Sequence, residues 1–189
     1  MDAFKEFLNT HVAVSESDWN EIAKRLTVVT YQKGDVLTKA GQIEQRLYFI
    51  QSGIIRLYYE FEHKDVTINF AFPNNFVNAY TSFLTQTPSD FYLTALTSCS
   101  LLYITKSDLE KLYALTTCGD VLGRIFAEKL FLYLSKREND FMIKSPTQRY
   151  LDLFVEQPQL IQEIPQKYLA SYIGITPQAL SRIRAKTAQ

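Results

Sequence analysis

The strongest constraint on this 189-residue chain is four consecutive residues near its C-terminal end, Gly174-Ile175-Thr176-Pro177. Glycine suits a tight turn that needs a left-handed backbone. Thr-Pro directly after it reads as an N-cap followed by proline at the first helical position, a strong start signal. Upstream, Pro165 fixes φ for a first helical turn, and Leu169, Ala170 and Ile173 share one face. Ala170 is small where two helices must cross closely, Ile175 is an apolar anchor, and Leu180 and Ile183 face back toward the first helix. Short helix, alanine at the crossing, glycine turn, apolar anchor and capped second helix is the order of a helix-turn-helix. The alternative is an ordinary helical hairpin in a core. Such a hairpin has no reason to leave Gln178, Ser181, Arg182 and Lys186 together on the outward face.

That outward face has chemistry suited to a nucleic acid. Gln178 can pair bidentately with adenine and Arg182 with guanine in a major groove, with Ser181 between them. Four residues apart, Gln178 and Arg182 lie on one side of a helix, a turn from each other. Lys167 and Tyr168, at the start of the first helix, and Arg184 and Lys186 on the flank are suited to phosphates, with Thr176 at the capped N-terminus. The whole chain carries 20 basic and 20 acidic residues, a balance that by itself argues against a nucleic-acid binder. The balance is an average: from Pro165 on, the charged residues are Lys167, Arg182, Arg184 and Lys186, with no acid among them. The expected partner is double-stranded DNA, met only by the C-terminal module.

The rest of the chain changes character twice. Residues 1–26 read as helix, with Ser17 as a cap and Trp19, Ile22, Ala23 and Leu26 on one face. From Thr27 to Ile104 the chain is rich in β-branched and aromatic residues broken by turn signals, and many short strands at regular spacing imply a sandwich or barrel. Helix returns at Ser107, where Ser107-Asp108-Leu109-Glu110 reads as a capping box. The longest helix is expected over 119–140. Its apolar positions Leu122, Ile125, Phe126, Leu130, Tyr133 and Leu134 cover more than one stripe, so a second apolar face needs a second partner: a homodimer along this helix. Ser145-Pro146 starts a further helix that stops before Pro158. The fold class is α+β.

Several chemistries are disfavoured. Cys99 and Cys118 are far apart, form no CxxC pair and read as reduced thiols of a cytoplasmic protein. Asp2, Lys5 and Glu6 argue against a signal peptide, and no apolar run is long enough to span a bilayer, so no membrane partner is expected. His11 and His63 are the only histidines, too few and too separated for a metal-dependent cupin, and each reads as a surface or satisfied residue. No nucleophile–base pair or phosphate-binding glycine loop of recognisable spacing is present, so neither catalytic residues nor a metal site are expected.

Lys33-Gly34-Asp35-Val36-Leu37, Ala40-Gly41-Gln42, Leu47-Tyr48-Phe49-Ile50-Gln51-Ser52-Gly53 and Ile55-Arg56-Leu57 resemble the opening of a cyclic-nucleotide-binding β-roll. With a long helix and a helix-turn-helix behind it, essentially the whole chain resembles the Crp/Fnr superfamily of bacterial regulators. That resemblance implies an N-terminal double-stranded, jelly-roll-like β-roll sensor over 1–118, a dimerisation helix over 119–140, and a helix-turn-helix domain over 141–189. It implies a homodimer on a palindromic DNA site, with RNA polymerase as a further partner. The sequence given ends at Gln189, soon after the recognition helix, so the β-wing common in the family is expected to be missing.

The effector site departs from the family. Cyclic-nucleotide binders carry a Gly-Glu pair and then an Arg followed by a small residue. Along Phe76-Val77-Asn78-Ala79 and Pro88-Ser89-Asp90-Phe91 this chain has Val77-Asn78 and Ser89-Asp90 instead. Asn78, Ser89 and Asp90 are therefore the candidate effector-pocket residues. An anionic cyclic phosphate would meet Asp90 with no guanidinium to neutralise it, so cyclic AMP is not expected to bind. The cysteine cluster of an iron–sulfur sensor is also absent. No cofactor is expected, and the effector stays open. The competing reading is a ligand-binding regulatory module that acts through protein contacts alone.

Overall fold

The computed structural model describes residues 1–62 and 64–187. His63, Ala188 and Gln189 lie outside the described residues, and with them the expectation for His63. The N-terminal segment is two helices rather than one, α1 (Asp2–Asn9) and α2 (Glu16–Ala23). The break falls at Thr10–Val14, where Asn9 Oδ1 accepts the Val14 N–H at 2.9 Å. Ser15, not Ser17, caps α2, its side chain accepting from Asp18 N–H at 3.0 Å.

Among the described residues eight strands follow: β1 (Thr27–Tyr31), β2 (Val36–Thr38), β3 (Arg46–Ser52), β4 (Ile55–Phe61), β5 (Lys64–Ala71), β6 (Phe76–Val77), β7 (Tyr92–Ala95) and β8 (Cys99–Thr105), with α3 (Tyr80–Thr85) between β6 and β7. They form two antiparallel sheets, ordered β1-β8-β3-β6 and β2-β7-β4-β5. The β6–α3 stretch is the part of the roll that the apolar pattern does not reveal, because β6 is two residues long.

The period-two geometry of strands explains the apolar runs. Along β3, Tyr48 and Ile50 point into the roll, whose core also holds Ile55, Leu93 and Leu101. Phe49 points to the other face, where it packs with Leu102 and Ile104 under the helices. The β1-β8-β3-β6 sheet is thus covered on both sides, as a near-continuous apolar strand such as Leu101–Ile104 requires. Gly53 shows why the β3–β4 turn admits no side chain. It sits at φ +91°, and a Cβ there would lie 2.5 Å from Cys99 Sγ.

Behind the roll come α4 (Lys106–Leu115), α5 (Gly119–Ile143), α6 (Pro146–Glu156), α7 (Pro158–Glu163), α8 (Gln166–Tyr172) and α9 (Pro177–Thr187). The cap of α4 is Thr105, which accepts from Asp108 N–H at 3.2 Å, rather than Ser107. Thr105 is the last residue of β8, so the helix starts as soon as the strand ends. The 25-residue α5 runs three residues past the expected end. Ser145 and Pro146 open α6 with a complete capping box through Gln148. Buried Asp18 joins the N-terminal layer to the start of α5 by accepting from Thr117 N–H at 3.2 Å and Thr117 Oγ1 at 2.7 Å. Cys99 and Cys118 are buried free thiols. Among the described residues, no helix is long and apolar enough to cross a membrane.

Candidate functional site

The C-terminal module is built as its turn residues demand. Gly174 takes φ +79°. Its N–H donates to Ser171 O at 3.1 Å, and the Ile175 N–H donates to Ala170 O at 2.9 Å. These two bonds satisfy the last carbonyls of α8 and form the double closure of a left-handed helix cap. Thr176 Oγ1 then accepts the Ala179 N–H at 3.2 Å, capping α9, with Pro177 as its first residue. Pro165 stands at the N-cap of α8 rather than inside its first turn.

Leu169, Ala170, Ile173 and Leu180 are buried in one cluster, with Ala170 and Leu180 fully enclosed and Ile175 and Ile183 packed against it. This fixes the rotation of α9, and its opposite face carries Gln178, Ser181 and Arg182, all exposed. Thr176, Arg184 and Lys186 are exposed as well, and so is Lys167 on α8. Tyr168 is different: it is half-buried, with its ring 3.9 Å from the guanidinium carbon of Arg56 on β4.

Two arginines that the sequence reading passed over hold the turn. Arg137 on α5 donates to Tyr172 O at 3.2 Å, and Arg149 on α6 donates to Ile173 O at 3.0 Å through Nη2. Both guanidiniums stack on the Phe141 ring, at 4.9 and 4.4 Å. Burial, and then the neighbouring charge of Arg137, pushes the Arg149 pKa down. The carbonyl contacts tie the end of the long helix to the helix-turn-helix. Tyr133, one helical turn earlier, donates to Asn69 on β5 at 2.6 Å and lies 3.3 Å from the Tyr172 hydroxyl. Burial pushes its own pKa well above the usual phenol value. A helical-period count finds none of these links, because each joins segments far apart in sequence.

The long helix carries two apolar faces. Leu122 is buried against the N-terminal helices and the first sheet, and Phe126 packs beside it. Tyr133 faces β5 and α8, while Ile125 and Leu130 are half-buried. The face left open carries Phe131, Leu132 and Leu134, at 68%, 66% and 53% exposure. Of the residues named from sequence, Leu122, Phe126 and Tyr133 thus serve the chain's own body, and Leu134 is the one on the open face, beside Phe131 and Leu132.

The three candidate effector residues do not converge. Asn78 is buried, its amide donating to Arg46 O at 3.2 Å. Ser89 is buried too, but it is spent on the local turn, donating to Phe91 O at 2.9 Å and pairing by its backbone with Gly41 and Gln42. Asp90 is exposed. Between the roll and α5 lies a cavity of about 690 Å³, and of the three only Asn78 lines it. Its walls are largely apolar, with Leu57, Phe76, Phe83 and Phe126 among them; its charged lining residues are Lys106, Glu110 and Lys129, and no arginine lines it. Buried Glu44 is a further residue the sequence did not flag. Its carboxylate accepts from Thr38 Oγ1 at 2.5 Å and from the Gln45 and Arg46 N–H groups at 3.0 Å, which secures the loop into β3.

With this geometry in hand, the likenesses to known proteins take their place. The family model of the cyclic nucleotide-binding domain matches residues 28–115. None of the curated proteins matches the chain. Among solved structures, the c-di-GMP responsive global regulator CLP of Xanthomonas campestris is 16% identical, with TM-score 0.69 and 92% of each chain covered. FixK2 of Bradyrhizobium japonicum is 14% identical, with TM-score 0.73, over 85% of this chain and 83% of its own. A transcriptional regulator of the Crp/Fnr family from Eubacterium rectale is 15% identical, with TM-score 0.69, over 90% of this chain and 82% of its own. The chain shares the fold of these structures over most of its length, and over residues 28–115 it matches the cyclic nucleotide-binding domain family.

Proposed function

We propose that the protein is a homodimeric, sequence-specific DNA-binding transcription regulator whose ligand cavity is not built for cyclic AMP. The observation that carries this reading is α9 itself. It is a capped helix pinned by fully buried Leu180, and it offers Gln178, Ser181 and Arg182 to solvent on one side. Gln178 and Arg182 stand about 6 Å apart along the axis, about one turn of rise, a spacing of nearly two base-pair steps in a major groove. Lys167, Arg184 and Lys186 flank them with positive charge and take phosphates. Thr176 caps the helix N-terminus that points toward the backbone.

Dimerisation follows from the open stripe of α5. Phe131, Leu132 and Leu134 on a helix already docked by its other face call for a second copy, and a two-fold axis along α5 sets two recognition helices side by side for a palindromic site. The cavity between roll and α5 favours an uncharged ligand. A guanidinium gives a cyclic phosphate bidentate recognition, and the cations that line these walls are Lys106 and Lys129 instead, set in a largely apolar surface.

The test is a binding-site selection followed by fluorescence anisotropy on the selected duplex and a scrambled one across a salt series. Arg182→Ala should cost about 1–3 kcal/mol on the selected site and relax the preference at one base pair per half-site. Lys167→Ala should weaken both duplexes alike and reduce the salt slope by about one unit per lost phosphate contact. Equal losses on both duplexes for Arg182→Ala would make Arg182 a phosphate contact and overturn the assigned recognition face.

A further inference from the structure

The first helix of the helix-turn-helix is fastened to an edge strand of the sensor. β5 ends the β2-β7-β4-β5 sheet, and an edge strand presents backbone groups without a ladder partner. Ser171 on α8 fills that role. Its Oγ accepts the Thr67 N–H at 2.9 Å and donates to Asp65 O at 3.1 Å, as a neighbouring strand would.

Beside it lies Arg56 on β4, 5% exposed. Its guanidinium carbon sits 4.2 Å from the Tyr58 ring and 3.9 Å from the Tyr168 ring, so it is held between strand and helix. Nη1 pairs with Asp65 at 3.0 Å, Nε donates to Thr67 Oγ1 at 3.0 Å, and buried Nη2 has no partner among the described residues. The seam therefore holds α8 by polar groups at the strand margin, and one buried donor in it is unpaid, which keeps the closed arrangement shallow. Tyr168 stands in the first turn of α8 beside Lys167, where phosphate contacts belong. Its ring is inside the seam instead, and the β4–β5 hairpin that holds it carries the acids Glu60, Glu62 and Asp65 beside the bases Arg56 and Lys64.

We propose that this α8–β5 seam is an intramolecular latch in which the sensor sheet and DNA compete for the same face of α8. Closed, it withholds Tyr168 and sets an acidic hairpin where a phosphate backbone would lie. Open, it frees Tyr168 to act beside Lys167, which is exposed already. The proposal rests on the DNA-binding reading above.

The test uses the full chain, two variants on opposite sides of the seam, and the selected duplex. Ser171→Ala removes the strand-edge hydrogen bonds without changing charge. Asp65→Asn removes, at a carboxylate 35% exposed, the β4–β5 ion pair that orients Arg56 against the Tyr168 ring. Each variant, checked for wild-type circular dichroism and oligomeric state, should bind the duplex about fivefold tighter than wild type, the ratio one net hydrogen bond is worth, with unchanged base preference. In hydrogen–deuterium exchange, DNA should speed exchange in the β5 peptide that contains Thr67. Asp65→Asn alone tightening would be a simple charge effect and would sink the latch, as would wild-type affinity in Ser171→Ala or unaltered β5 protection on DNA. If wild type binds the duplex and the variants match it, only the latch falls; if neither binds any DNA, the regulator reading falls and the latch with it.

Discussion

Substituting Gly174 by alanine tests the tightest point of the helix-turn-helix. Two costs can be separated there. Gly174 sits at φ +79°, in the left-handed region, where an L-residue costs about 1–2 kcal/mol. An added Cβ would also lie 2.9 Å from Phe141 Cε1, inside normal contact. The ring, 39% exposed, can yield only by disturbing its stacking with Arg137 and Arg149 at 4.9 and 4.4 Å, and forcing a side chain off its rotamer costs about 0.5–1.5 kcal/mol. The expected loss for Gly174→Ala is therefore about 1.5–3.5 kcal/mol, on the order of ten- to a few-hundredfold in the folding equilibrium. Urea unfolding followed by far-ultraviolet circular dichroism reads it directly. The steric share is isolated by repeating the substitution in a Phe141→Ala background, where the cost should fall to the backbone term of about 1–2 kcal/mol. A loss below about 0.5 kcal/mol, the range of an ordinary surface change, would refute the strained-turn argument. Equal losses in the two backgrounds would show that Phe141 does not confine the turn.

Three further outcomes are expected. Asp18 is held below the usual carboxylate range, first by the Thr117 hydroxyl, so its stabilisation is full above its unfolded pKa of about 4 and is lost as pH falls through the lower folded value; Asp18→Asn should flatten acid unfolding in that window, and an unchanged profile would count against it. Leu134→Glu places a charge on the open stripe of α5 and should convert a dimer into a folded monomer by light scattering at micromolar concentration; a wild-type protein that is already monomeric would remove the dimer from the proposal. Calorimetry with cyclic AMP should give no binding at sub-millimolar concentration, and micromolar affinity would overturn the reading that the cavity is not built for a cyclic phosphate.

Where structure is set by neighbours in the chain, the sequence was decisive. The turn at Gly174, the Thr176 cap, Ser145-Pro146 at the start of α6 and the alternation of strand residues are local, and each left a residue-level mark: a glycine for a left-handed backbone, a hydroxyl for an orphan N–H, a period of two or of 3.6. The resemblance carried by the glycines and short strands between Lys33 and Leu57 supplied the roll. Local marks also misled. Ser17 and Ser107 have the chemistry of caps, but Ser15 and Thr105 cap α2 and α4, because a cap is chosen by where the preceding turn or strand releases the chain.

Only the tertiary structure decided which apolar residues of α5 face inward, and why Asn78, Ser89 and Asp90, near one another in a motif, point to three different environments. It alone revealed Arg137 and Arg149 on the turn carbonyls, and Tyr168 turned toward Arg56 rather than toward solvent. Thr67 and Ser171 stand 104 residues apart, yet one hydrogen bond joins the β-roll and the helix-turn-helix there. Such contacts have no period and no spacing, since they depend on where two separately folded surfaces meet, and an amino-acid order specifies that meeting only through the whole packed molecule.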